Sequence, residues 1–112
     1  MKFMILMSED PSWDLLSDAE QARIIADHDA FEADLRAAGS FLASGRFGPG
    51  PGMCVVQSAD RTKRIVAAPD PGKGAIGGYY VIDVEDMARA LEWASRCRFI
   101  TGTNWVYPLW EA

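Results

Sequence analysis

The apolar positions along this chain change their period several times, and each change marks an element. Residues 3–7, FMILM, form a short unbroken apolar run that exits into the turn-forming SEDPS. Such a run predicts a buried strand. After residue 17 the period lengthens. Ile24, His28, Phe31, Leu35 and Ala38 fall at steps of 4, 3, 4 and 3, which is one face of an α-helix. Ser17 with Glu20 three residues later forms a capping box at its start, and Gly39 suits the left-handed position that ends it. Residues 40–47, SFLASGRF, read as a second strand, closed by the Pro-Gly loop 48–52. MCVVQS (53–58) and KRIVAA (63–68) read as a hairpin joined by ADRT, with a further loop at 69–74. GGYYVIDV (77–84) carries the strongest strand signal, being rich in aromatic and β-branched residues.

A second helix is predicted over 84–97, capped by Asp83, with Met87, Ala90, Leu91 and Ala94 as its buried stripe. Arg96 and Arg98 suit the negative end of its dipole. In the last strand, TNWVYPLW (103–110), Trp105, Tyr107 and Leu109 alternate with Val106, Pro108 and Trp110. Pro108 places that end on a sheet edge or past the last ladder bond. Two helices among strands in this order predict an α+β domain of the split βαβ, ferredoxin-like kind. Both helices then cover one face of an antiparallel sheet, and residues 1–112 form a single domain. The other face is too apolar to meet water, so the sheet of an identical subunit is its natural cover.

Composition narrows the function. The chain is 49% hydrophobic and 24% charged, ordinary globular values. Its formal charge of −5 argues against a nucleic-acid partner, which needs a cationic patch. The basic run Arg61-Thr62-Lys63-Arg64 lies at the hairpin turn and reads as a solvated edge that blocks stray pairing. Cys54 and Cys97 lack metal-ligand spacing and read as reduced, buried thiols. Neither a metal nor a cofactor is implied. The first apolar run is too short for a secretory signal or a membrane span, so a cytoplasmic protein with no membrane partner is expected.

The stretches KFMILM (2–7), HDAFEADLRAAGSFLASG (28–45), GGYYVIDVEDMARALEWASRC (77–97) and VYPLWE (106–111) resemble the YCII-related family, in particular its DGPF branch. The resemblance implies a ferredoxin-like subunit that pairs through its sheets into a dimeric α+β barrel. The family is mostly of unknown function. In its better-studied branch a histidine on the first helix and an aspartate just after the helix-ending glycine are thought to act as a dyad. A few relatives are dehydrochlorinases acting on chlorinated aromatics, and some DGPF-type proteins are encoded beside sigma factors. By position, the resemblance puts the histidine at His28 and the aspartate position at Ser40. A hydroxyl can orient an imidazole but cannot stabilise imidazolium as a carboxylate does. The DGPF tetrapeptide is absent, with AAPDPGKG (67–74) near its place, and Tyr107 stands where many relatives carry arginine.

His28 therefore has two readings. It is a general acid or base at the mouth of a cleft, for which an imidazole is suited near neutral pH. Or it is a satisfied core residue packed between Ile24 and Phe31. Glu32, at i+4 from it, could orient the ring but has Arg36 as an equally good partner. Tyr79 and Tyr80 point to opposite faces of one strand, one toward the helices and one toward the dimer interior, and either phenol could donate to a bound oxyanion. Arg46, beside the Pro-Gly loop, could hold an anionic substrate, and Trp13 could lid the pocket. Lys73 is not a phosphate-loop lysine, because no Ser or Thr follows it and a strand, not a helix, comes next. Three classes stay open. One is a small cofactor-free enzyme of lyase or isomerase type acting on an aromatic or apolar acid. The others are a ligand-binding or regulatory module, and a dimeric assembly protein without a pocket.

Overall fold

The computed structural model describes residues 1–8, 13–47, 52–67, 76–97 and 102–111. The elements run β1 (Lys2–Ser8), a 3-10 turn (Trp13–Leu15), α1 (Asp18–Ala37), β2 (Phe41–Arg46), β3 (Met53–Gln57), β4 (Lys63–Ala67), β5 (Ile76–Asp83), α2 (Met87–Ser95) and β6 (Asn104–Pro108). Four strands form an antiparallel sheet in the order β2-β5-β1-β6. This is the ferredoxin-like order, with β3 and β4 inserted between β2 and β5 as a separate two-stranded ribbon. β6 lies at the sheet edge, where Pro108 needs no donor. The predicted loop at 69–74, Lys73 and Arg98 lie outside the described residues, as does all of the Pro-Gly loop except Gly52.

Both helices pack on one sheet face. Strand alternation sends Phe3 and Ile5 of β1, and Tyr80 and Ile82 of β5, to the same side. There they meet Phe31 and Leu35 of α1 and Ala90, Ala94 and Cys97 at the end of α2 in one buried cluster. The opposite face carries Met4, Leu6, Tyr79, Val81, Trp105 and Tyr107, brought side by side by the β1–β5 and β1–β6 registers. The Cα extents are 48 × 42 × 18 Å. A thickness of 18 Å accommodates one sheet and one helix layer, so the second face stays open.

The capping box is formed. Ser17 Oγ accepts from the Glu20 amide at 3.1 Å, and the Glu20 carboxylate answers the Ser17 amide. At the other end Gly39 takes φ +73°. The Ser40 amide bonds the Leu35 carbonyl and the Gly39 amide that of Arg36, a Schellman closure.

The second helix departs from expectation. It starts at Met87 with Asp86, not Asp83, as N-cap, its carboxylate accepting from the Arg89 amide at 2.9 Å. β5 runs on to Asp83, which pairs in register with Lys2 and whose carboxylate lies 3.1 Å from the terminal ammonium of Met1. The helix can begin only after that ladder ends. Its buried face is rotated as well. Ala90, Ala94 and the half-buried Trp93 face the sheet, while Met87 and Leu91 are exposed. Small residues let the helix lie close, and Trp93 fills the gap edge-on to Phe31 at 5.9 Å.

Candidate functional site

The register of α1 over β2 decides which candidates meet. Glu32 reaches down to Ser44, whose hydroxyl donates to Oε1 at 2.7 Å. One turn toward the helix C-terminus, the Arg36 guanidinium lies 4.0 Å from the centroid of the Phe41 ring. The helix and strand therefore run in opposite directions, and a 5.4 Å helical turn spans about two strand residues. One turn back from Glu32 is His28, which falls at the level of Arg46. Ser44 and Arg46 are two residues apart in β2 and share the helix-facing side.

His28 is half-buried, in line with Ile24 and the buried Phe31 and Leu35. Arg46 is exposed, and its guanidinium stands 5.4 Å from the ring centroid of half-buried Trp13. Trp13 is itself tied to α1, its carbonyl accepting from Gln21 Nε2 at 2.9 Å. One end of the α1–β2 seam thus carries an imidazole, a guanidinium and an indole, with the Glu32–Ser44 hydrogen bond a turn deeper. Glu32 also lies 3.6 Å from Arg36, the expected pair. Ser44 escaped the sequence reading, although its period-2 relation to Arg46 marks it for the same face.

Ser40 does not join His28. The Schellman closure fixes the Ser40 amide on the carbonyl of Leu35, seven residues along the helix from His28. That is about 10 Å of axial rise, and helical side chains lean toward the N-terminus, away from Ser40. The His28–Ser40 dyad is thus out of hydrogen-bonding reach. Ser40 is buried and lines a different feature, an open cleft of about 440 Å³ with Gly39, Asp83, Glu85, Arg89 and Trp93.

The two tyrosines divide as strand alternation requires. Tyr80 faces the helices, buried and edge-on to Phe31 at 5.0 Å. Burial pushes its phenol up to about 12, and the nearby Cys97, Glu32 and Asp29 add to the rise. It stays protonated at neutral pH and can serve only as a neutral hydrogen-bonding group. Tyr79 lies on the open face, on the other side of the sheet from His28. Its ring packs over Gly45 so closely that a Cβ built there would lie 2.6 Å from Tyr79 Cε1. Gly78, opposite Arg46, is equally constrained, since a Cβ there would lie 2.7 Å from the Gly45 carbonyl oxygen. Tyr79 and Tyr80 therefore cannot serve one site within a single chain.

The thiols add no chemistry to this seam. Cys97 is buried and its thiol is pushed up to about 12 by burial, which keeps it protonated and inert. Cys54 is half-buried on the ribbon. Among the described residues, no group of three or more His, Cys, Asp or Glu side chains is placed to hold a metal ion. Likewise, no described helix is long and apolar enough to cross a membrane.

No curated protein shows significant similarity to this chain. The family model of the YCII-related domain, in contrast, matches residues 1–112, the whole length over which the strand order, the histidine-bearing helix and the GGYY strand have been placed. The chain therefore belongs to the YCII-related family.

Proposed function

We propose that this protein is a homodimeric, cofactor-free enzyme of the cytoplasm that uses His28 as general acid or base on a small acidic substrate. Arg46 holds the substrate's carboxylate, and Trp13 covers its apolar or aromatic body. What supports the proposal is the seam geometry: the antiparallel register of α1 over β2, fixed by Glu32 on Ser44 and Arg36 over Phe41, runs His28 toward the end of β2 where Arg46 stands near Trp13. An exposed guanidinium beside an indole binds a planar carboxylate by charge and stacking together. A half-buried imidazole next to that position can move a proton without a metal.

The test is binding and turnover with a panel of small aromatic and aliphatic carboxylic acids, chlorinated ones included. Arg46→Met should abolish the thermal shift that such an acid gives the wild-type protein. His28→Gln should retain that shift and lose turnover. Retained turnover in His28→Gln refutes the acid–base role.

One observation favours a second reading. With Ser40 out of reach, no carboxylate occupies the dyad position after Gly39. A ligand-binding or regulatory module that uses the same seam without turnover would show the thermal shift, and its loss in Arg46→Met, with no product.

Dimerisation is supported by the open sheet face. Met4, Leu6, Tyr79, Val81, Trp105 and Tyr107 form a contiguous apolar patch that a second, identical sheet would cover. Trp105→Ala should then shift the protein from dimer to monomer in sedimentation equilibrium. A wild-type protein that stays monomeric at all concentrations refutes this part.

A further inference from the structure

The β3–β4 ribbon poses a problem that one chain does not solve. Among the described residues it pairs only with itself, in a sheet separate from the main one. A lone two-stranded ribbon is marginal in water, because it buries little on either face. Its register places Met53, Val55 and Ile65 on one side, with Val55 directly opposite Ile65. They are 65%, 65% and 71% exposed, more than any other large hydrophobic side chain in a described strand. Cys54, Val56 and Val66, on the other side, are half-buried. One side of the ribbon is therefore partly covered and the other is bare and apolar.

In sequence the ribbon lies between β2 and β5, yet among the described residues neither of its strands pairs with the main sheet. Its charge is also opposite to that of the rest of the chain. Residues 53–67 hold three cations, Arg61, Lys63 and Arg64, against the single carboxylate of Asp60, in a chain of formal charge −5. Outside the ribbon the molecule is more acidic still. The long helix α1 exposes Asp18, Glu20, Asp29 and Asp34.

We infer that the β3–β4 ribbon is a clasp for a second copy of this chain, with Met53, Val55 and Ile65 packed against it and the cationic turn set on its acidic surface. The inference rests on the homodimer reading above and adds to it. The sheet faces supply the broad contact, while the ribbon supplies a second, charge-steered one. An acidic chain with one cationic arm is complementary to its own copy, and the apolar side chains that destabilise the free ribbon become its contact surface.

The test is sedimentation equilibrium on the full chain. The double variant V55T/I65T keeps β-branched side chains in the ribbon and removes its apolar surface. The double variant K63E/R64E reverses the charge of the turn. Each should raise the dimer dissociation constant at least tenfold with the far-UV circular dichroism unchanged. The wild-type constant should also rise severalfold between 50 and 500 mM NaCl, about the range over which screening removes such contacts. That salt series decides the matter if either variant fails to fold. Suppose instead that both variants and the salt series leave the constant unchanged while Trp105→Ala raises it. The clasp is then refuted and the homodimer stands. A wild-type chain that is monomeric throughout refutes both.

Discussion

The two halves of α1 are built for different purposes. The C-terminal half contributes Phe31 and Leu35 to the core, closes with a Schellman motif and crosses to α2 through the Asp34–Arg96 ion pair. The stretch from Asp18 to His28 buries nothing completely. Ile24 and His28 are half-buried, Ile25 is exposed, and the helix is held there by its capping box and by Gln21 on the Trp13 carbonyl. One helix thus carries a stability segment and, one turn before it, the half-buried histidine. Functional groups are often found where packing is incomplete, since a substrate needs the space that a core residue would fill.

The largest expected break in this contrast is Leu35→Ala. It removes a fully buried side chain and should cost about 2–5 kcal/mol in urea unfolding. Ile25→Ala, ten residues earlier, should cost under about 1 kcal/mol. Equal losses at both positions would abolish the division.

Next comes pH, which acts on the stable half. The folded state raises Cys97 from 9.0 and Tyr80 from 10.0, both to about 12. The folded protein therefore keeps protons that the unfolded chain has released at the same pH. Stability from these groups is complete below about pH 9 and is lost as pH rises toward about 12. Chemical denaturation between pH 8 and 11 should show a fall that is shallower in Cys97→Ala. An identical slope in that variant would count against the burial of this thiol.

Gly39→Ala should cost about 1 kcal/mol, because φ +73° disfavours any Cβ although the space around it is empty. Ser17→Ala should cost about 1 kcal/mol at the opposite end. Smallest of all should be the stability effect of His28→Gln, under about 1 kcal/mol, alongside a complete loss of turnover. A loss of several kcal/mol there would make His28 a core residue and transfer it to the other side of the comparison.

Much of this was readable in the chain. Ser17, Glu20 and Gly39 act within a few residues of themselves, so their pattern alone reveals both ends of α1. The alternation of Tyr79 and Tyr80 follows from strand geometry. The cap of α2 is Asp86 and not the Asp83 that the local pattern predicts, for a non-local reason. Asp83 is held in β5 by pairing with Lys2, which no local pattern near residue 83 records. Hydropathy favours large residues and so assigns Met87 and Leu91 to the buried stripe of α2, whereas close helix–sheet contact buries only Ala90 and Ala94 of the four.

The candidate site divides in the same way. The sequence determined which chemistry is available: a single imidazole on a helix face, a guanidinium at a strand end and an indole in the turn between β1 and α1. It also determined the two helices, the strand alternation and the family. Only the tertiary structure decided which of those groups share a space. The antiparallel run of α1 over β2 ties Glu32 to Ser44 and turns the His28 side of the helix toward the Arg46 end of the strand and away from Ser40, and the pleat puts the sheet between Tyr79 and Tyr80. Composition and periodicity are properties of neighbours along the chain. The pairing of groups from separate elements is fixed by packing register, in which every residue of both elements takes part.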